Sequence, residues 1–248
     1  MLKQPDEIRS AYSNPGTAEQ YIGTRFVSAW GSVLHATQVR VVNNVIRAHG
    51  VKRVIELAPG PARISTDVSG FERGYLCEFN DAMLRVARRR LAARAHRWRL
   101  VRGDAFHLPF SQPVDMVYTF RFIRHFEEAD RRALYQQVHS VLNAGGLFVF
   151  DAVNVKVGLP AARRDGLDAQ HVYDEYYEPE TLQQELVRHG FTPRSLTPVI
   201  RHMSWQQQIQ VLVGPRSTAL ARRLIELLER LPGEPLEWVV VCQKSAAH

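Results

Sequence analysis

The spacing of hydrophobic and polar positions divides the chain into regions of different rhythm. Up to about residue 50 the apolar side chains recur at helical intervals. Ala18, Tyr21, Ile22 and Phe26 follow "NPGT", and Val33, Val41, Val42, Val45 and Ile46 precede a glycine stop at 49–50. From residue 51 short apolar runs alternate with amphipathic stretches. "VKRVIEL" (51–57), "GYLCEF" (74–79), "RWRLVRGD", "PVDMVYTF" (113–120) and "LFVFDAVN" read as strands. Between them "PARISTDV", "NDAMLRVARRRLAARA" (capped by Asn80) and "EADRRALYQQVHSVLNAGG" (stopped by Gly145 and Gly146) read as helices. Strand–helix alternation through 51–154 predicts an α/β fold with a parallel sheet covered by helices. Beyond it, helices are predicted over 178–191 and 217–231, and strands over 192–200 and 235–244. A long loop is expected from Asn154 to Glu178.

Composition adds limits rather than detail. The chain has 248 residues, 45% hydrophobic and 23% charged, which is ordinary globular usage and enough for one sizeable α/β domain. No apolar run reaches the length that spans a bilayer, and "MLKQPDEIRS" has no apolar signal core. The two cysteines, Cys77 and Cys242, lie in strand-like runs with no zinc-type spacing, so no metal site is expected and a reducing cytoplasm fits. The net charge of +7 is partly local: residues 85–102 are rich in arginine, read as a solvated helix face leading into the next strand, with RNA or acidic-substrate contact as the alternative.

The candidate chemistry lies at strand ends. Glu56 closes the first strand, Gly60 sits in the turn after it, Glu78 closes the second strand, and Asp104 follows the third. All are expected at the carboxyl edge of the sheet, where ligands of such folds bind. "ELAPGPA" lacks the G-x-G-x-x-G of a pyrophosphate loop, and Pro59 and Pro61 each remove an N–H donor. A loop without donors suits a nucleoside carrying a cation better than a phosphate. On position alone, Glu78 can accept both ribose hydroxyls, Asp104 an exocyclic amino group, and Glu56 a ligand ammonium.

Five segments in order and spacing resemble the motifs of class I S-adenosylmethionine-dependent methyltransferases of the small-molecule type. "VIELAPGPARIS" is similar to hydrophobics followed by E/D-x-G-x-G-x-G, with Ala58 and Ala62 in place of two glycines. "CEFNDAMLRVARRR", "VRGDAFHLPF", "VDMVYTFRFIRHF" and "VLNAGGLFVFDAVN" resemble the next four, with Asn143-Ala144 in place of a common lysine-proline. The resemblance implies a Rossmann-like, doubly wound seven-stranded sheet of order 3-2-1-4-5-7-6 with an antiparallel last strand. It implies an N-terminal helical lid over 1–50, a cofactor core over 51–154, and a substrate loop and sheet completion over 155–248. It also implies S-adenosyl-L-methionine as cofactor, held by Glu56, Ala58, Gly60, Glu78, Phe79, Met83, Asp104, Ala105 and Phe120.

The acceptor side rests on residues outside those motifs. His125, past the fourth strand, and Tyr173 are the candidate catalytic groups. Arg121 and Arg124 are candidates for an acidic substrate. His171, Tyr176 and Tyr177 would form a substrate wall, with an anchoring role as the alternative. Tyr12, Tyr21 and Arg25 would reach in from the lid. The leucine stripe 220, 224, 227, 228 and 231 is read as core, with a homodimer contact as the alternative. The expected reaction is methyl transfer to oxygen or nitrogen of a small-molecule acceptor. The alternatives are RNA methylation, and a methyltransferase-like binding protein without turnover, suggested by the two missing glycines.

Overall fold

The computed structural model describes residues 28–165 and 173–246. Helix α1 (Ala29–His49) starts where Ser28 Oγ accepts the Gly31 N–H, and ends at Gly50, left-handed at φ 59°. Strands β1 (Arg53–Leu57), β2 (Arg73–Glu78), β3 (Trp98–Arg102), β4 (Val114–Tyr118) and β5 (Leu142–Asn154) follow. Helix α2 (Asp81–Arg90) lies between β2 and β3, and α3 (Glu128–Val141) between β4 and β5. Then come α4 (Val155–Asp165), β6 (Tyr176–Tyr177), α5 (Pro179–Arg188), β7 (Phe191–Arg201), α6 (Met203–Leu212), α7 (Thr218–Leu228) and β8 (Pro235–Lys244).

The strand order is β3-β2-β1-β4-β5-β8-β7, with β6 attached only to β5. The first five strands are parallel, and β8 runs antiparallel to both β5 and β7. This is the expected order once the two-residue β6 is set aside. The central strands are buried on both faces, so alternate residues feed separate cores. Val54, Leu76, Met116 and Val149 pack beneath α1 and α2. Ile55, Val117, Phe148 and Phe150 pack beneath α3 and α5. Two layers of helices around one sheet hold the carboxyl ends of β1–β4 level, since Glu56 is in register with Leu76 and Tyr118, and Glu78 with Arg102.

Four sequence expectations are corrected. "PARISTDV" forms turns, not a helix, because Ala62 adopts φ 60° in what would be its first turn. Gly145 and Gly146 do not stop a helix: α3 ends at Val141 and β5 begins at once. The expected loop after β5 opens with α4, which carries Pro160 inside it. The leucines of α7 are not a core stripe, since Leu220, Leu227 and Leu231 are exposed and only Ala221 and Ile225 of that helix are buried. Helix α6, with its glutamine run, gave no apolar period to read; Gln206 is its one fully buried residue.

Candidate active site

The loop after β1 keeps a glycine backbone without the glycines. Ala58, Gly60 and Ala62 have φ of 46°, 56° and 60°, alternating with Pro59 and Pro61. Only Gly60 takes that conformation without side-chain cost; for alanine it costs about 1–2 kcal/mol. Every N–H the loop retains is already used. Ala58 N–H donates to the Cys77 carbonyl at 2.9 Å, and Ala62 N–H to the Pro59 carbonyl at 3.1 Å. Gly60 N–H donates to Glu78 Oε2 at 2.9 Å. No donor of this loop remains for a phosphate, which excludes the pyrophosphate cradle.

The carboxylates that flank the loop are prepared differently. Glu78 is buried, and its Oε1 also accepts the Asn80 N–H at 2.8 Å. Burial pushes its carboxyl up, while the backbone donors of Asn80 and Gly60 oppose the shift. Both oxygens are fixed, and each keeps a lone pair for a diol. Glu56 Oε2 accepts from Ser65 Oγ and from Tyr118 Oη, the latter at 2.9 Å. Burial raises Glu56 to about 7 against those hydroxyl bonds. A buried carboxyl bonded by hydroxyls and facing a cavity is matched to a ligand cation. Asp104 folds back on itself, its Oδ1 accepting the Phe106 N–H at 3.0 Å, which aims the turn at the same edge.

These groups line a cleft that opens to solvent and holds about 130 Å³ of cavity space. All nine residues expected to hold the cofactor, from Glu56 to Phe120, are on its wall. Phe79 stands at its edge, 46% exposed. Sequence reasoning missed Arg63, Phe106, Phe122 and Phe126 as further wall residues. The three phenylalanines meet edge to face: Phe126 lies 5.3 Å from Phe106 and 5.1 Å from Phe122. The F-x-x-x-F spacing of 122–126 was their only sequence signal. Arg63 was hidden by the false helix; its Nη2 donates to Gln38 Oε1 at 2.7 Å, and Gln38 donates onward to Glu237.

On the acceptor side the residues separate. Arg121 and His125 line the cleft; Tyr173, Tyr176, Tyr177 and Arg124 do not. Arg121 is left-handed at φ 57°, its N–H donates to Asp151 Oδ1 at 2.6 Å, and its buried Nε has no hydrogen-bond partner. Arg124 is corrected from substrate contact to structural ion pair: it is buried among Asp151 at 3.4 Å, Glu237 at 3.3 Å and Asp174 at 3.0 Å. Tyr177 is corrected from substrate wall to anchor, since it is buried with the Arg131 guanidinium 5.4 Å over its ring. Arg131 itself forks onto Glu185 at 2.8–2.9 Å and reaches Glu175 at 2.8 Å, pinning residues 175–177 to α3 and α5. Tyr176 pairs with Val153 of β5. Tyr173 is also corrected as a base: its hydroxyl donates to Glu175 at 2.5 Å, and burial with that bond raises its phenol well above the usual range. Tyr12, Tyr21, Arg25 and His171 lie outside the described residues.

His125 has a defined tautomer. Its Nδ1 lies 2.8 Å from the Tyr173 carbonyl oxygen and 2.9 Å from Asp174 Oδ1. Both neighbours are acceptors, so Nδ1 carries hydrogen. Burial opposes the charge on Asp174, but Arg124 and His125 overcome it and hold the carboxyl down at about 2. With hydrogen held at Nδ1, Nε2 is the ring nitrogen left to carry a lone pair.

The fold is shared with solved methyltransferases. Magnesium protoporphyrin IX methyltransferase from Synechocystis, with bound S-adenosylhomocysteine, superposes with a TM-score of 0.69 at 11% identity, over 98% of this chain and 100% of that one. The DhpI complex with S-adenosylhomocysteine gives 0.64 at 17% identity, over 98% and 97%. Residues 54–146 match the family described as "Methyltransferase domain". The human mitochondrial 2-methoxy-6-polyprenyl-1,4-benzoquinol methylase is 36% identical over 94 residues, which are 36% of this chain and 28% of that protein. The rat protein of the same name is 40% identical over 85 residues, or 32% and 25%. The chain thus spans little more than a quarter of the length of these relatives. Residues 54–146 thus match a methyltransferase domain, on a fold shared with solved structures that bind S-adenosylmethionine or S-adenosylhomocysteine. The donor-free loop, the fixed Glu78 and the cation-ready Glu56 fit S-adenosylmethionine.

Proposed function

We propose that this chain methylates a small, flat acceptor on oxygen, with His125 as the base. S-adenosylmethionine, when bound, supplies an already activated methyl group. The chain's task is then to position the acceptor, exclude water and take one proton. Glu56 would pair with the ammonium, Glu78 with the ribose hydroxyls, Asp104 with the adenine edge, and Phe79 would cover the base. The acceptor hydroxyl would give its proton to His125 Nε2 as its oxygen takes the methyl group that the bound cofactor would release from sulfur.

The observation that carries the reading is the His125 ring in the cleft wall with Nδ1 hydrogen-bonded and Nε2 left to accept. The phenylalanine cluster around it suits an aromatic acceptor, and Arg121 suits an anionic group on that acceptor. RNA methylation is less supported. The arginines at 88–90, 94 and 97 gather where α2 returns to the start of β3, at the edge opposite the cleft.

The test is calorimetric titration with S-adenosylhomocysteine, followed by an assay of phenols and aromatic carboxylates for the demethylated product. Expected is binding near −8 kcal/mol, about micromolar, and turnover of phenols that His125→Ala lowers without loss of cofactor binding. Absence of binding heat would favour a protein that borrows the fold without the reaction. Phenol turnover unchanged in His125→Ala would remove His125 as the base.

A further inference from the structure

Helices α6 and α7 carry a surface that the methyl-transfer reading does not use. Eight large apolar side chains are exposed among the described residues, and six of them are here: Trp205, Val211, Leu212, Leu220, Leu227 and Leu231, at 47–69%. Singly exposed apolar residues are normal on any protein, but a cluster is not. Trp205 and Leu212 are seven apart and share one face of α6. Leu220, Leu227 and Leu231, seven and then four apart, form a stripe along α7 and just beyond it. On α7 the other side is already satisfied, with Ala221 and Ile225 packed against Ala29 and Val33 of α1, so that helix is apolar both inward and outward. On α6, Ile209 falls between Trp205 and Leu212 on the helix surface and packs partly buried against the same cluster, so its apolar band runs from that contact out to the exposed face.

The charges bordering this face have one sign. Helix α6 contains no charged residue, and the turn after it carries Arg216. On α7 Arg222 is taken by Glu226 at 2.8 Å, and Glu229 is turned inward onto the Ile200 and Arg201 N–H groups. Arg216, Arg223 and Arg230 remain exposed, with no acidic partner among the described residues. We infer that the α6–α7 face docks onto an anionic lipid surface, its apolar side chains entering the interface and these arginines meeting the headgroups. A tryptophan, aliphatic side chains and flanking arginines on helices too short to cross a bilayer are the composition of an interfacial element. A second copy of the chain is a poorer occupant, because a symmetric pairing would bring the unneutralised arginines of both copies together.

The experiment is sedimentation with vesicles of phosphatidylcholine, with and without phosphatidylglycerol, over a range of salt. Expected is pelleting only with the anionic vesicles, weakened by salt. Both Val211→Asp/Leu212→Asp and Arg223→Glu/Arg230→Glu should reduce it at least about tenfold. The changed side chains are exposed, so melting temperature and S-adenosylhomocysteine binding should be unaltered, which separates this test from that of the catalytic reading. No pelleting with either vesicle overturns the inference, as does pelleting that survives both double variants. A dimer in light scattering that dissociates in the apolar variant also overturns it, by showing that the face is covered by a second copy.

Discussion

Gly60 and Glu78 are joined across the cleft floor: the amide of the first donates to the carboxylate of the second at 2.9 Å. This bond ties the loop after β1 to the end of β2, and it fixes the group proposed to hold a ribose. Glu78→Ala removes that acceptor and leaves the Gly60 and Asn80 N–H groups short of a partner. The expected loss is about 2–3 kcal/mol of S-adenosylhomocysteine binding, roughly 30- to 150-fold, together with a lower melting temperature. Calorimetry and thermal unfolding read the two effects separately.

The alanines in the left-handed region give a prediction of opposite sign at two neighbouring positions. At Ala58, glycine relieves backbone strain with little packing to lose, and Ala58→Gly should stabilise by up to about 1 kcal/mol. Ala62 is fully buried in the core beneath α1. There the lost methyl offsets the relief, at about 0.8 kcal/mol, so Ala62→Gly should be neutral or slightly destabilising. Urea unfolding of the pair checks this.

Glu56 makes both stability and binding depend on pH. Its folded-state value of about 7 lies above the ordinary 4.5, because burial penalises the charge. The folded protein keeps a proton that the unfolded chain releases, so this stabilisation is complete below 4.5 and lost as pH rises through about 7. It amounts to at most about 3 kcal/mol. Glu237, raised to about 7 by burial and then by Asp151, acts in the same direction. Because Glu237 and Glu78 are raised as well, Glu56→Gln should reduce the slope of stability against pH without abolishing it. A ligand ammonium favours the ionised form, so S-adenosylhomocysteine should bind more tightly from about pH 6 to 8 in the native protein and not in Glu56→Gln.

Arg121 and Arg124 are three residues apart and should respond in opposite ways. Arg124→Met strands Asp151, Asp174 and Glu237 in the interior, and should destabilise by about 3–5 kcal/mol. Arg121→Met should barely change the melting temperature. It should raise KM for an anionic acceptor at least about tenfold with kcat nearly unchanged.

His125→Ala should lower kcat for a phenol by about 10²- to 10⁴-fold. Asp174→Asn leaves the imidazole present but removes the charge beside it, and should cost less. A pH–rate profile shifted by Asp174→Asn would show that the carboxylate acts through the histidine.

The positions of the residues proposed for the cofactor were readable because they are tied to strand ends, where apolar runs stop and chain order dictates position. Glu56, Glu78 and Asp104 each follow such a run, and the register of β1, β2 and β3 brings them to one edge. The acceptor half was not readable in the same way. Arg121 and Arg124 look equivalent in "FRFIRHF", and only the fold turns one to the cleft and the other into a cage of carboxylates from β5, β8 and residue 174. Tyr177 and Arg131 are likewise 46 positions apart in the chain, so no local pattern reveals that one covers the other. The turn over 61–67 was misread because "PARISTDV" has a good helical start, while the conformation at Ala62 is imposed by the packing around it.

The alternation of Pro59 and Pro61 with left-handed neighbours has a consequence for recognition kinetics. Ring closure at two positions and an intramolecular bond at every other amide leave the segment 58–62 few alternative shapes, with or without a guest. The pocket floor is thus a finished mould before anything enters. Its complementarity is written into covalent stiffness, so encounter, not loop rearrangement, should set how fast the nucleoside end seats.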